Sequence, residues 1–237
     1  MTTVTEKAWL GQLNEDLVDA GNGHRLHIDV ISPFLAMQDA AHKDGIDLQL
    51  VSSYRDFDRQ TAIFNRKWTG KAQLLDVNGS PLSFDSLRND EKLHAILTWS
   101  ALPGGSRHHW GTDIDAYDRA SVKHWGGQFN LVETEYEAGG PCYALACWLG
   151  ENMSRFGFYR PFSVSRGGVA AEPWHLSFKK TADTFEKARN LQGLTAAIEQ
   201  SDIEGKSCIL SQLPTLYNRY VLNNGVSPTE TVCVQLG

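Results

Sequence analysis

The chain has 237 residues, 41% of them apolar and 21% charged, with a formal net charge of −6. These proportions suit a soluble protein with a packed core. Lys and Arg are scattered, with no run longer than Lys179-Lys180, which argues against the basic surface that nucleic acid or an anionic membrane selects.

The first residues, Met1 to Leu10, lack the basic start and apolar core of a secretory signal. No stretch approaches the roughly 20 apolar residues of a membrane span. As written the chain reads as cytoplasmic, unless it is a processed mature form or is released by another route. Cys142 and Cys147 stand in an apolar run and Cys208 and Cys233 lie far downstream, so no Cys-x-x-Cys spacing is present. All four read as buried thiols acting as small hydrophobes.

In chain order, Ala8, Trp9, Leu13 and Leu17 recur at helical spacing over 6–18, and the Gly21-Asn22-Gly23 cluster closes that run. A second helix is predicted over 28–43, with Gly45 as its stop. Leu48, Leu50 and Val51 suggest a strand running into Ser53-Tyr54-Arg55. Asp56 then caps a helix whose apolar face includes Ala62, Ile63, Phe64 and Trp68. Residues 69–83 read as a surface excursion, 91–102 as a helix, 112–117 as a strand and 124–129 as a loop. A long apolar helix is predicted over 135–155, and the tail reads as two helices, 182–199 and 207–222. No internal repeat or linker is visible. The expectation is one domain over 1–237, with a motif-bearing core at about 25–180 and a helical extension, 181–237, packed on it.

The chemistry concentrates in two segments, Ser106-Arg-His-His-Trp-Gly-Thr-Asp-Ile-Asp115 and Glu172-Pro-Trp-His175. Together they supply imidazoles, carboxylates and a spare glutamate, the set needed for a zinc site that activates water with three protein ligands and one open position. The residues alone leave choices open. His108 and His109 are adjacent, so in an extended segment only one reaches a shared metal. Asp113 and Asp115 face the same side of a strand. Glu172 and His175 are three apart, which on an ideal strand gives opposite faces; Pro173 makes an ordinary ladder unfavourable, and a kink is required to bring both to one metal.

Ser106-x-His108-x-x-Gly111-x-x-x-Asp115 and Glu172-Pro-Trp-His175 resemble the signatures of the D-alanyl-D-alanine carboxypeptidase (VanY-like) family of zinc peptidases. Ser53-Tyr-Arg55, followed by Gln60, resembles that family's third motif. The three occur in the family's order and frame residues 50–178. One departure is Asp113, where the family usually places a small residue. The resemblance implies one zinc ion per chain held by His108, Asp115 and His175, with Glu172 as the base and Asp113 as a neighbouring acceptor or the partner of a cation. It leaves His109 lining the cleft or exposed. It also assigns Arg55 to the substrate, where a guanidinium fork matches a terminal carboxylate, and Gln60 and Ser106 to further substrate hydrogen bonds. Arg59 and Arg107 read as surface charges.

The expected architecture is α+β, a small antiparallel sheet carrying the zinc site and surrounded by helices. The expected activity is hydrolysis of the terminal D-Ala-D-Ala bond of peptidoglycan stem peptides. Two alternatives remain: a peptidoglycan endopeptidase of phage-lysin type using the same zinc chemistry, and a non-catalytic zinc-binding interaction module. Serine or cysteine nucleophilic catalysis is the weaker reading, since no Gly-x-Ser-x-Gly elbow is present.

Overall fold

The computed structural model describes residues 4–226; Cys233 and both ends of the chain lie outside the described residues. Up to His108 the elements are α1 (Glu6–Trp9), β1 (Leu17–Gly21), β2 (His24–His27), α2 (Ile28–Lys43), β3 (Leu48–Ser52), α3 (Phe57–Trp68) and α4 (Asn89–Trp99). There follow β4 (Asp113–Asp118), α5 (Arg119–Trp125), α6 (Tyr143–Asn152), β5 (Phe158–Tyr159), β6 (His175–Phe178), α7 (Lys179–Ala188), α8 (Leu191–Gln200), α9 (Lys206–Leu210) and α10 (Leu213–Leu216). The chain divides into two compact units: the described parts of Met1–Asp56, Arg107–Ser163 and Glu172–Arg189 in one, the rest in the other.

The first unit is built on a four-stranded antiparallel sheet of order β3-β4-β6-β5. Strand β4 is central and paired on both edges, so five of its six residues are buried. Its register sets Asp115 opposite His175 and Asp113 opposite Ser177 on β6. Helix α2, predicted at 28–43, forms over that range and buries Val30, Phe34, Met37 and Ala41 at the spacing of one helical face.

Other expectations are corrected. The helix predicted over 6–18 is one turn, Glu6–Trp9, capped by the Thr5 hydroxyl, which accepts from the Ala8 amide at 3.2 Å. Leu17 begins a strand instead, and Gly21-Asn22-Gly23 is the turn of a β1–β2 hairpin, with all three residues at positive φ. Residues up to Trp125 are helical where a loop from 124 was expected, and Gly126 ends the helix in the left-handed conformation. The long helix over 135–155 begins only at Tyr143, because Gly139-Gly140-Pro141 interrupts it after a 3₁₀ turn at Glu133–Tyr136. Of the cysteines, Cys142 is buried as expected, whereas Cys147 is exposed and Cys208 half-buried.

In the second unit, α3 packs against α4, and α8 against α9. The buried face of α3 is Phe57, Gln60 and Phe64, rotated from the predicted one. Trp68 stacks on Phe64 with 6.0 Å between ring centroids. The tail is split into shorter helices than predicted: the first breaks at Arg189-Asn190, where the Asn190 side chain caps the next helix, and the second breaks ahead of Pro214. Among the described residues no helix is long and apolar enough to cross a membrane.

Gly111 ties the motif to the fold. Its φ is +69°, and a Cβ there would lie 2.8 Å from the His27 amide nitrogen and 2.6 Å from Leu17 Cδ2. Its carbonyl accepts from that same His27 amide at 2.9 Å, so the close approach is enforced by a backbone bond. Gly111→Ala should therefore combine a left-handed non-glycine with overpacking and destabilise the chain by about 2–4 kcal/mol. Denaturant unfolding checks this; a loss under about 0.5 kcal/mol would show that the hairpin gives way freely.

Candidate metal centre

His108 sits in a 3₁₀ turn, Arg107–Trp110, while Asp115 and His175 lie side by side on β4 and β6. Their ligand atoms all lie within 4.8 Å of one another, and all three side chains are buried. His108 Nε2 is 3.3 Å from Asp115 Oδ2, and His175 Nδ1 is 3.2 Å from Asp115 Oδ1.

The two imidazoles present different nitrogens to this cluster because the other nitrogen of each is already bound. His108 Nδ1 donates to the Ser53 carbonyl at 2.9 Å. His175 Nε2 donates to Asp113 Oδ1 at 3.0 Å. Fixing one nitrogen by a carbonyl or carboxylate leaves the other as a lone pair, the usual arrangement for metal-bound histidine.

Glu172 reaches the cluster through a turn. The His175 amide donates to the Glu172 carbonyl at 3.1 Å, so Glu172-Pro-Trp-His175 folds back before β6 begins. The Glu172 carboxylate thereby lies 3.3 Å from His175 Nδ1. Arg160 holds this turn, its Nε donating to the Pro173 carbonyl at 2.9 Å and its Nη2 to Ala146 at 3.0 Å. Phe162 sets its ring edge-to-face on His175, with centroids 4.9 Å apart.

Arg55 is anchored by its backbone to the histidine turn. Its amide donates to the His108 carbonyl at 3.1 Å, and its carbonyl accepts from His109 Nδ1 at 2.6 Å. The half-buried guanidinium is close enough to act electrostatically on both His108 and Glu172.

Two expectations are corrected here. His109 is neither exposed nor lining a cleft. It is fully buried beside Gly11, and burial lowers its pKa to about 3, so it stays a neutral donor to Arg55. Arg107 is not a surface charge either: it is 6% exposed and pairs with Asp113 at 2.7 Å and with Glu186. No periodicity could have revealed that, because a 3₁₀ turn aims adjacent side chains differently from a strand. Arg59 is exposed, as expected. Gln60 and Ser106 belong to the second unit. Gln60 is fully buried and donates to the Ala101 carbonyl at 2.7 Å, and the buried Ser106 hydroxyl has no hydrogen-bond partner among the described residues.

The carboxylates around the cluster are driven in opposite directions. Burial alone would raise Asp115, but His108 and His175 hold its carboxyl well below the usual range. Glu172 is pushed up by burial, only partly countered by His175. Burial would lower His175, yet Asp113, Asp115 and Glu172 together raise it well above an ordinary imidazole. Three carboxylates converging on one ring require a cation there, and a dication meets that requirement as a proton does. Asp115 Oδ1 is buried and makes no hydrogen bond, its contact with His175 lacking the geometry for one. Two imidazole nitrogens, a bare carboxylate oxygen and a neighbouring glutamate fit a divalent ion such as zinc.

The site is thus a buried His-Asp-His cluster of the kind that can hold a metal ion, with an adjacent glutamate, on a small antiparallel sheet. The chain belongs to the VanY D-alanyl-D-alanine carboxypeptidase family, whose model matches residues 23–181, well over half of it. An uncharacterized protein of Haemophilus influenzae is 32% identical over 128 residues, 53% of this chain and 97% of that one. A D-alanyl-D-alanine carboxypeptidase of Enterococcus faecalis is 28% identical over 171 residues, 70% of this chain and 53% of that one. Among solved structures, VanYB in complex with D-alanine-D-alanine superposes with a TM-score of 0.51 at 23% identity, over 78% of this chain and 90% of that one. A vancomycin-resistance D,D-pentapeptidase VanY mutant in complex with Zn(II) gives 0.51 at 24% identity, over 76% and 89%. These two establish a shared fold.

His108→Ala and His175→Ala should each abolish tight zinc binding, and Asp115→Ala most of it, because each removes one of the three converging candidate ligands. Elemental analysis of the purified variants checks this. Full metal content in His108→Ala would place the ion elsewhere.

Proposed function

We propose that this chain is a zinc-dependent D,D-carboxypeptidase that removes the terminal D-alanine from peptidoglycan stem peptides ending in D-Ala-D-Ala. The observation that carries the reading is Glu172, held 3.3 Å from His175 Nδ1 beside the His108–Asp115–His175 cluster and raised by burial toward the range of a working acid–base group. The family membership and the D-alanine-D-alanine bound to the structural relative support the substrate class.

Zinc held by His108, Asp115 and His175 would supply a Lewis acid that lowers the pKa of water toward ~7 and polarises the scissile carbonyl. Glu172 takes the proton from the attacking water and returns it to the departing amine. Asp115 remains ionised throughout, since two imidazoles hold its charge. Arg55, fixed by the bonds that join its backbone to His108 and His109, offers its guanidinium to the substrate's free carboxylate or to the scissile carbonyl. Phe162 gives the site an apolar wall beside His175 and keeps that ring from turning.

Glu172→Gln should retain zinc and fold while losing about 10²–10⁴-fold in kcat, the usual contribution of a positioned general base. Activity within a few-fold of wild type at matched metal content would remove Glu172 from the mechanism. Arg55→Ala should lower kcat/KM for Ac-L-Lys-D-Ala-D-Ala by roughly ten- to over a hundred-fold, corresponding to about 1.5–3 kcal/mol for a charge-assisted bond, and should affect the C-terminal amide far less. Arg55→Lys should recover only part of the loss, because an ammonium lacks the paired donors. Equal cleavage of acid and amide by wild type, with both falling alike in Arg55→Ala, would favour the endopeptidase reading of the same site.

A further inference from the structure

We infer that Arg107 and Asp113 form a buried positioning relay that orients His175 as a metal ligand, so that Arg107, which touches no ligand atom, sets zinc affinity through Asp113. The inference rests on the zinc reading above.

Asp113 is fully buried and every acceptor site on its carboxylate is filled. Oδ1 accepts from Arg107 Nε at 2.7 Å and from His175 Nε2 at 3.0 Å; Oδ2 accepts from the Thr112 hydroxyl at 2.6 Å and from Ser177 Oγ at 3.0 Å. Four donors leave the carboxylate one position, and that position aims Oδ1 at the far nitrogen of His175. An isolated carboxylate would not survive such burial as an anion. The compensating charge comes from Arg107, itself 6% exposed.

Arg107 is in turn held from several directions. Its Nη2 donates to the Tyr159 hydroxyl at 2.9 Å and to Ser177 Oγ at 2.8 Å, and its Nη1 pairs with Glu186 on α7. Its guanidinium carbon stands 4.7 Å from the centroid of the buried Trp110 ring. Ser177 bonds both Arg107 and Asp113, which locks their separation. A merely stabilising ion pair has no need for one oxygen of Asp113 to be shared between Arg107 and the imidazole. Here the shared atom makes the orientation of His175 depend on the pair. A carboxylate behind a ligating histidine fixes its tautomer and raises its basicity, and losing such a partner typically weakens metal binding by about 10–100-fold.

The test is zinc affinity, measured by chelator competition on the full chain, together with circular dichroism and thermal unfolding of the metal-free protein. Asp113→Asn should weaken zinc binding by about 10–100-fold, and Arg107→Gln should do so by a comparable or smaller factor. The double variant should bind zinc no more weakly than Asp113→Asn alone, since Arg107 acts through that carboxylate. Should Arg107→Gln fail to fold, Arg107→Lys keeps the charge without the fork and should show a partial loss. Zinc affinity within two-fold of wild type in Asp113→Asn, with only thermal stability lowered, would make the pair structural and overturn the relay. Losses that add in the double variant would overturn Arg107's action through Asp113. If His175→Ala also leaves zinc binding intact, it is the metal-centre reading that fails.

Discussion

One imidazole, His175, carries the constraint on which the first unit depends. Its Nε2 must face Asp113 and its Nδ1 must face Asp115 and Glu172, and both demands are met within a ring that is almost wholly buried. The antiparallel register of β4 against β6 makes this possible. Asp115 is the cross-strand partner of His175, and Asp113, two residues away on the same face, reaches the other side of the ring. A slip of one residue would turn both carboxylates to the opposite face and dissolve the site. Register is therefore a functional quantity here, and the burial of β4 on both edges is what secures it.

The same geometry separates the roles of carboxylates that are chemically alike. Asp115 lies between two imidazoles that hold its carboxyl ionised, as the proposed ligand role requires. Glu172 approaches from a turn, is buried with less compensation, and is raised. With Glu172 on a turn held by Arg160 and Asp115 on the sheet, the proposed base can accept and release a proton while the proposed ligand keeps its charge. Neighbouring carboxylates whose pKa values are driven apart are a common mark of acid–base machinery.

Much of this was legible in the sequence because the site is composed of two short segments with unusual residue types at fixed spacing. The strand at 112–117 and the helix at 28–43 followed from periodicity. The requirement for a kink between Glu172 and His175 followed from Pro173, and a turn closed by the His175 amide meets it. The hairpin at β1–β2 was obscured because Ala8, Trp9, Leu13 and Leu17 satisfy a helical period by coincidence, while Gly11, pressed against His109, ends the helix after one turn. His109 and Arg107 depart from the sequence expectation. The strand rule that separates His109 from His108 does not hold, because the segment is a 3₁₀ turn, and Arg107 reads as a surface charge because nothing in its sequence context marks the buried partners that the turn gives it.

Asp113 shows where the two kinds of reading meet. In the sequence it was a departure, a carboxylate at a position the resembled family usually gives to a small residue. A small residue there would leave His175 Nε2 without its acceptor and Arg107 without its buried counter-charge, and both side chains are themselves buried. Conversely, an aspartate without Arg107 would bury an uncompensated anion. The two residues thus make sense only as a pair. Arg107 lies next to His108 in the chain, while Asp113 stands two residues before Asp115. Each member of the buried pair is therefore fixed by the backbone that also fixes a proposed ligand, which couples the packing around the pair to the geometry of the candidate metal centre.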